Sequence, residues 1–319
     1  MSVYTLDIDS SERDPVSYPN PGDYVVELRH PIYDVKKLSI VSARIHASQL
    51  LINDNNNTFS VNGRTISLPN ENYSGNELAT ELLSKFQEAN NVIPVGAVPI
   101  SSVTYDKSKN DLTFGGSGAF TFEFYGGENG YHTDVAVDGK TTPHDILGLA
   151  ASNVTSVNNT LTTGSINLQG PDALILKISS GAEELNKTVY SDTPFYTGRI
   201  LMCGDVINYS GVDDAVEHNF DTGAQNISKL RIQFFYSSNN RLIPYNFRNA
   251  NHILKLNIEC STDKLQNVPK VDKKFELPPP IRIPSIEDPS RWNGMIYIFA
   301  IIAAGIFFIF VSKPKKLSE

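Results

Sequence analysis

Alternating apolar and polar positions, the pattern of half-buried β-strands, recur along most of the chain before residue 270. The segments are rich in β-branched and aromatic residues and are bounded by Gly, Asn, Asp or Pro. They are DYVVEL, KLSIVSARI, TFSVNG, DLTFGG, AFTFEFYGG, ALILKIS, KLRIQFFYS and HILKLNIEC. Many short strands at this spacing predict a mainly β chain with a β-sandwich or jelly-roll-like domain over residues 29–270. The pattern leaves open whether this region forms one such domain or two.

One segment, YSGNELATELLSKFQEANN, has the period of an α-helix instead. Ser74 and Glu77 match a capping box at its start, and Asn90–Pro94 end it. Its apolar positions share one face, which predicts packing against a sheet rather than a partner site: Leu78, Leu82, Leu83 and Phe86. A second short helix is predicted around PHDILGLA.

The run MIYIFAIIAAGIFFIFV, Met295–Val311, contains no charged residue. As a helix rising ~1.5 Å per residue it covers roughly 25 Å, close to a ~30 Å hydrocarbon core. A buried core helix is usually shorter and keeps a polar stripe, so the run predicts a transmembrane helix over residues 292–312. The residues assigned to this anchor are Trp292, Met295, Ile296, Phe299, Ile302, Phe307, Phe308 and Phe310.

The flanks of the anchor bear on its orientation. The opening MSVYTLDIDSSERD lacks the basic start and apolar run of a signal peptide, so we expect a tail anchor with the preceding residues in the cytosol. The basic tail, residues 313–319, holds Lys313, Lys315 and Lys316. The positive-inside tendency would keep these lysines cytosolic, whereas anionic headgroups could equally bind them. Both topologies stay open.

Residues 271–291 form a proline-rich linker before the anchor. Its prolines forbid a regular helix and favour extended polyproline geometry at ~3.1 Å per residue. The linker could therefore be a semi-rigid stalk, or an arm that lies flat across its own domain or a neighbour. The five prolines are Pro278, Pro279, Pro280, Pro284 and Pro289.

Composition narrows the class of protein. The chain has 319 residues with a net charge of -8 and a pI near 5.3, which argues against direct nucleic-acid binding. The two cysteines, Cys203 and Cys260, are too few for a disulfide framework and are typical of a reducing compartment.

The sequence motifs that could indicate catalysis or ligand binding are weak. DIDSSERD has Glu12 where a calcium loop needs Gly, and it predicts a strand leaving a polar turn. GGSGAF lacks the Lys of a phosphate loop and predicts a hairpin turn. The densest titratable cluster is Asp213 and Asp214 with Glu217 and His218. A solvated loop is the default interpretation of such a cluster.

The six histidines show no spacing typical of a metal site, so we expect no metal, cofactor or small-molecule substrate. They are His30, His46, His132, His144, His218 and His252.

The stretch DIDSSERDPVSYPNPGDYVVEL, Asp7–Leu28, is the most distinctive part of the sequence. A strand, a Ser-x-x-Arg-Asp turn and Tyr-Pro-Asn-Pro-x-Asp-Tyr precede another strand. This order resembles the N-terminal signature of minor capsid proteins of large icosahedral nucleocytoplasmic DNA viruses, the group that contains the chlorella viruses. The signature is carried by Asp9, Ser10, Arg13, Asp14, Tyr18, Pro19, Asn20, Pro21, Asp23 and Tyr24.

Two later segments are similar to the same group: DILGL, and IPYNFRNANHILKLNIE near the end of the β region. The second resembles a Pro-Tyr-x-Phe-Asn-Gly-x-x-His-x-x-x-Leu-x-Ile pattern, with Arg248-Asn249 where Asn-Gly is expected. The resemblance spans roughly the first 265 residues loosely, and the first 28 with the distinctive motif.

The motif has a physical interpretation as a contact element. Prolines fix an extended path, Asn and Asp satisfy turn amides, and tyrosines offer flat apolar faces with polar tips. We therefore expect contacts to partner proteins at Tyr18, Pro19, Asn20, Pro21 and Tyr24.

The resemblance implies a structural role rather than an enzyme. Such proteins lie beneath the major capsid shell and cement capsomers to one another and, in some members, to the inner membrane. The expectation is therefore a membrane-anchored minor capsid protein whose partners are major capsid protein, other minor capsid proteins and a lipid bilayer. It would be located in the virion, and on host cytoplasmic or ER-derived membrane during assembly.

Two rival functions remain open. A membrane-anchored attachment protein that binds a glycan or receptor would expose aromatic loops, for which Tyr125 and Tyr131 in YGGENGYH are candidates. A tail-anchored enzyme would place carboxylates with shifted pKa values in a pocket, with Asp213, Asp214 and His218 as first candidates.

Overall fold

The computed structural model describes residues 2–91, 98–181, 183–185, 188–190, 193–202, 206–209, 217–220, 225–261 and 289–312. The chain divides into two compact units, Met1–Lys264 and Leu265–Glu319. In its described residues the first unit is mainly antiparallel β-structure with one α-helix, and the second unit contains the apolar helix. The predicted mainly β fold class with a C-terminal apolar helix is confirmed.

The helices are α1 (Gly75–Asn91) and α2 (Pro289–Val311), and a 3₁₀ turn covers Ser10–Glu12. The strands are β1 (Ser2–Asp9), β2 (Asp23–His46), β3 (Thr58–Val61), β4 (Arg64–Ser67), β5 (Ile100–Asp106), β6 (Asp111–Gly116), β7 (Thr121–Glu123), β8 (Asn153–Thr155), β9 (Thr160–Thr162), β10 (Ala173–Ser180), β11 (Glu183–Glu184), β12 (Thr188–Tyr190), β13 (Thr193–Tyr196), β14 (Gly198–Leu201), β15 (Val206–Tyr209), β16 (Glu217–Asn219), β17 (Gln225–Ser238), β18 (Arg241–Pro244) and β19 (Ile253–Cys260).

The larger sheet has the order β1-β19-β2-β17-β10-β11, with β14 to β16 and β18 paired to these strands. Its spine is β2, which joins the predicted strands DYVVEL and KLSIVSARI into one strand of 24 residues. Pro31 lies inside it, at a register shift in the pairing with β17 between Ile32 and Glu27. A proline is tolerated there because a bulge does not need its missing N–H.

The larger core lies on one face of these strands. In β19, Leu254, Leu256 and Ile258 are fully buried while Lys255 is exposed, the period-2 alternation that the sequence shows. β1 pairs with β19 in continuous antiparallel register from Ser2 with Cys260 to Asp9 with Ile253. The first and last strands of the β part are therefore neighbours.

A second core lies between β2 and β10 in the sequence. It is built from two small sheets, β4-β3-β7-β8 and β5-β6-β9, with α1 packed on them. Phe122 is at its centre, with five aromatic ring centroids 5.0–6.2 Å from its own: Phe59, Phe86, Phe114, Phe120 and Phe124. The hydrophobic interior of Met1–Lys264 is thus divided into two clusters.

Helix α1 forms as the sequence predicts. Ser74 N–H donates to Glu77 Oε2 at 2.8 Å, and Glu77 N–H donates to Ser74 Oγ at 3.4 Å, which is the reciprocal capping box. The hydrogen bond also lowers the pKa of Glu77. Leu78, Leu82 and Phe86 are fully buried, so the predicted packing face is confirmed.

Two local predictions are wrong. PHDILGLA forms hydrogen-bonded turns rather than a helix: Leu147 N–H donates to Pro143 O at 3.0 Å and Leu149 N–H to His144 O at 2.8 Å. GGSGAF is not a hairpin, because β6 and β7 belong to different sheets and the segment carries the chain between them. In the first case Gly148, at φ +65°, ends the helical path.

We predict that Gly148→Ala destabilises the protein more than Gly170→Ala. Both glycines have positive φ, +65° and +85°, so alanine costs about 1–2 kcal/mol at either. A Cβ at Gly148 would also lie 2.7 Å from the carbonyl oxygens of Gly164 and Ser165, whereas a Cβ at Gly170 has open space. Overpacking adds about 1–3 kcal/mol. Urea unfolding in detergent, followed by circular dichroism, measures both variants, and equal losses would contradict this.

Candidate functional site

Helix α2 contains the predicted anchor. It begins at Pro289, a residue suited to the first helical turn, three residues before the predicted boundary. Asn293–Val311 is long and apolar enough to cross a membrane by length and composition, and none of it is buried. Seven predicted anchor side chains are exposed: Met295, Ile296, Phe299, Ile302, Phe307, Phe308 and Phe310. The Trp292 side chain, the lysine tail and linker residues 271–288 lie outside the described residues.

The N-terminal motif is organised around Arg13. Its guanidinium bridges the loop that follows β1 and the turn that precedes β19. Because both ends of the fork are used, the planar guanidinium fixes the relative position of the two segments. It donates five hydrogen bonds, to the carbonyl oxygens of Ser10 (2.7 Å), Tyr18 (3.0 Å) and Pro19 (3.2 Å) and to the Oδ1 atoms of Asn249 (3.1 Å) and Asn251 (2.8 Å).

A second contact joins the same segments in the interior. Ser10 N–H donates to His252 O at 3.0 Å, and His252 N–H donates to Ser10 Oγ at 2.8 Å. The Tyr24 hydroxyl lies 2.9 Å from His252 Nε2. The rings of Phe234 and Phe247 pack on the imidazole at 4.6 and 4.9 Å. Burial, with a smaller effect of Arg13, lowers the pKa of His252 to about 3, so the ring is neutral.

The turn at Arg248-Asn249 shows how this chain replaces Asn-Gly. Both residues have positive φ, +47° and +67°, and Ala250 N–H donates to Phe247 O at 2.8 Å. A turn of type I′ requires positive φ at both central positions. Asn246 Oδ1 accepts from Arg248 N–H at 2.9 Å, which supports the turn. The turn also places Asn249 on Arg13.

The predicted partner-contact residues divide into two groups. Tyr24 and Pro21 are buried and pack inside this chain, so they are corrected to internal contacts. Pro19 and Asn20 are exposed and Tyr18 is half-buried, and for these three the contact to a partner stays a prediction. Period-2 alternation in β2, which turns Tyr24 inward, is the signal that could have separated them.

Sequence reasoning missed Val16, a highly exposed apolar residue of the motif. Its side chain is 89% exposed at the tip of a loop that is held in place by Asp14. Asp14 Oδ1 accepts from Val16 N–H at 3.0 Å, and Asp14 Oδ2 accepts from Ser17 Oγ at 2.5 Å. The Ser17 hydrogen bond and the backbone one lower the pKa of Asp14. A fixed loop therefore presents an apolar tip to solvent.

Of the candidate enzyme cluster, the structure describes Glu217 and His218. Asp213 and Asp214 lie outside the described residues. Glu217 pairs with Lys37 at 2.5 Å, and His218 is buried with its ring 4.7 Å from Phe220. The described residues contain no group of three or more His, Cys, Asp or Glu that could hold a metal.

The candidate attachment residues are also partly internal. Tyr125 is 48% exposed and packs edge-on against His132 at 5.3 Å. Tyr131 is turned inward, with its hydroxyl 2.6 Å from Thr141 Oγ1 and 2.9 Å from Ser238 Oγ. The two tyrosines therefore do not form one exposed aromatic cluster.

A family model described as a family of unknown function, DUF5901, matches residues 1–128. No curated protein matches the sequence. The fold is similar to a crystal structure of the selenomethionine-labelled mavirus penton protein, at 10% identity and a TM-score of 0.40, covering 81% of this chain and 99% of that one. It is also similar to a chain in the 3.5 Å cryo-EM structure of the Sputnik virophage, at 10% identity and a TM-score of 0.38, covering 81% and 98%.

We predict that Arg13→Lys destabilises the β part by about 1.5–3 kcal/mol, because an ammonium cannot reproduce the fork that spans both segments. Arg29→Lys, at an exposed position of β2, is the matched control and should change the free energy of unfolding by less than about 0.5 kcal/mol. Urea unfolding of full-length protein in detergent measures both. A loss no larger than that of the control would show that the Arg13 contacts do not hold the fold.

Stability should fall as the pH drops below the usual histidine range. His252 is neutral in the folded protein down to about pH 3 but takes up a proton near pH 6.5 when unfolded. The unfolded state therefore binds more protons between these values, and the free energy of unfolding rises with pH across that window. His252→Gln should flatten this slope between pH 4.5 and 6.5. An unchanged slope in the variant would contradict the assignment.

Proposed function

We propose that this chain is a structural capsid protein that tethers an icosahedral protein shell to the lipid bilayer beneath it. The β part, Met1–Lys264, would contact major capsid protein and other minor capsid proteins, and α2 would enter the bilayer. The observation that carries the proposal is that one chain combines a β part, whose motif loop exposes Val16, with an exposed helix whose run from Met295 to Val311 is uncharged.

The exposed side chains of α2 support the bilayer as its environment. Phe299, Phe307 and Phe308 are 69–74% exposed, and aromatic side chains of this size are strongly disfavoured in water. A helix that is apolar on all sides needs an apolar environment on all sides, which a membrane supplies. Its backbone hydrogen bonds are satisfied within the helix, as a hydrocarbon environment requires.

The motif loop supports the β part as a contact module. Asp14 and Arg13 hold the loop in one conformation, so little conformational entropy is lost when Val16 docks on a partner. A single small contact of this kind is weak, but many copies in one shell add their contacts through avidity. A protein that links shell subunits needs contact area and a rigid surface, and it does not need an active site.

The membrane part of the proposal predicts that arginine in the middle of α2 releases the protein from lipid. Each arginine near the bilayer centre costs roughly 2.5–3.5 kcal/mol on insertion scales. Ile302→Arg with Phe307→Arg should therefore shift the protein from the membrane pellet to the supernatant after alkaline carbonate extraction. The matched control adds the same two charges to exposed β positions, Val3→Arg with Val157→Arg, and should stay in the pellet. Retention of the α2 variant would contradict a membrane span.

The contact part predicts that Val16→Asp reduces incorporation into particles without unfolding the chain. The Val16 side chain is exposed to solvent, so its replacement should change the free energy of unfolding by less than about 0.5 kcal/mol. Val157→Asp, at a 71% exposed position in the second-core region, is the control. Mass spectrometry of purified particles measures the copies retained per shell. Equal incorporation of the two variants would show that the motif loop is not a shell contact.

A further inference from the structure

Strand β1 lies at an open edge of the larger sheet. It pairs with β19, and among the described residues it has no strand on its other side. The strand covers eight residues, Ser2–Asp9, and contains neither a bulge nor a proline. Bulges, prolines and short strands are the usual protection of an exposed edge, because an open edge is a template for another strand. The edge of β1 is therefore able to accept a further strand.

The backbone groups on this open side follow from the hydrogen-bond pattern of β1. Ser10 N–H donates to His252 O at 3.0 Å, in register with the pairing of β1 and β19. In an antiparallel ladder, hydrogen-bonded pairs alternate with pairs that are not hydrogen-bonded. The even-numbered residues of β1 therefore bond to β19. The N–H and C=O groups of Val3, Thr5 and Asp7 point to the open side.

The core face of β1 is incompletely covered by its own chain. Tyr4, Leu6 and Ile8 share this face, because each lies opposite a buried residue of β19. Ile8 is only 3% exposed and Leu6 is half-buried, but Tyr4 is 51% exposed. A strand added at the open edge would place side chains beside Tyr4 and remove more of its ring from water.

A second copy of β1 has the side chains that this edge lacks. Antiparallel pairing about a two-fold axis at Thr5 sets Val3 opposite Asp7 of the second copy, and Tyr4 opposite Leu6 of the second copy. The open N–H and C=O groups of both strands are then hydrogen-bonded to one another. Tyr4 and Leu6 meet in the pairs that are not hydrogen-bonded, where side chains are closest.

Charge favours this register over its neighbours. An axis at Leu6 would set the two Asp7 side chains diagonally adjacent, and like charges across a strand pair are destabilising. An axis at Tyr4 would leave the backbone groups of Asp7 without a described partner. With the axis at Thr5, the two Asp7 positions lie about 14 Å apart along the strands, at ~3.4 Å per residue. Each carboxylate also pairs with Lys255 of its own chain, at 3.6 Å.

We propose that β1 is a docking edge for a second copy of this chain, which pairs with it in antiparallel register about Thr5. One pair of strands buries less area than a standard interface of about 1,200–2,000 Å², so the contact is weak between isolated chains. It is strengthened where many copies are held on one surface. The contact uses β1 alone, so the inference stands whether or not α2 spans a membrane.

Cysteine cross-linking of the full chain in detergent tests this register. Thr5→Cys places a thiol on the two-fold axis, where the Cα atoms of the two copies are about 5.5 Å apart. Ethylene bis-methanethiosulfonate, a thiol reagent with a two-carbon spacer, should join two copies of the peptide that carries the introduced thiol. Mass spectrometry identifies this product. Two identical peptides can be joined only between different molecules, so the product reports pairing of copies.

The matched control is Asp7→Cys, which introduces a thiol on the same strand and the same solvent-facing side. The two control thiols are about 14 Å apart along the strands, too far for the short spacer, so the yield should be several-fold lower than for Thr5→Cys. Equal yields would indicate random collision and would overturn the proposal. Absence of the product from Thr5→Cys would also overturn it, because the edge would then be open or held by a different protein.

A second variant tests the backbone contacts. Thr5→Pro removes an N–H that points away from β19, a position at which an edge strand tolerates proline. Thr5→Val keeps this N–H and is its control, since both variants lose the hydroxyl that donates to Asn257 Oδ1 at 3.1 Å. Circular dichroism checks that both variants fold.

Sedimentation equilibrium of the full chain in density-matched detergent measures the Kd of self-association. Thr5→Pro should raise this Kd about tenfold, because each copy loses one hydrogen bond to the other, and Thr5→Val should leave it unchanged. Both variants contain α2, so a difference between them comes from β1. Equal Kd values for the two variants would contradict pairing through this edge.

Discussion

The contact between Arg13 and the turn before β19 is the constraint on which the rest of the β part depends. Arg13 reaches Asn249 and Asn251 across 236 and 238 positions of sequence, so it closes the chain from its first strand to its last. The antiparallel pairing of β1 with β19 joins the same two parts of the chain, and the buried Tyr24–His252 contact lies on the interior side of this junction. Fixing the ends of so long a loop costs entropy, which several contacts at one point offset together.

This closure also explains the N-terminal motif. Arg13, Tyr24 and Asn20 serve the chain itself: Arg13 ties two segments, the Tyr24 hydroxyl lies 2.9 Å from His252 Nε2, and Asn20 Oδ1 accepts from Gly22 N–H at 2.8 Å. The result is a stiff loop with Val16 at its tip. A motif that is held rigid by contacts within its own chain is suited to repeated contacts with neighbouring proteins, because every copy presents the same surface.

Features with a local period could be predicted from the sequence. The capping box at Ser74, the face of Leu78, Leu82 and Phe86, and the apolar run of α2 depend on neighbours within a few residues. Contacts between distant segments could not. No local pattern shows that β2 continues through Pro31, or that GGSGAF joins two sheets. A cavity lined by Leu51, Pro171 and Tyr236 is formed by separate segments between Gln49 and Asn239, so no single stretch of the sequence could predict it.

The central claim is that one chain holds both a shell and a bilayer. Protease digestion of purified particles, first intact and then stripped stepwise of the outer shell, tests it most directly when this chain is followed by mass spectrometry. The tether predicts that peptides of the β part are shielded until the shell is removed, while Met295–Val311 stays with the lipid. Cleavage of the β part on intact particles, or absence of the chain from them, would contradict the tether.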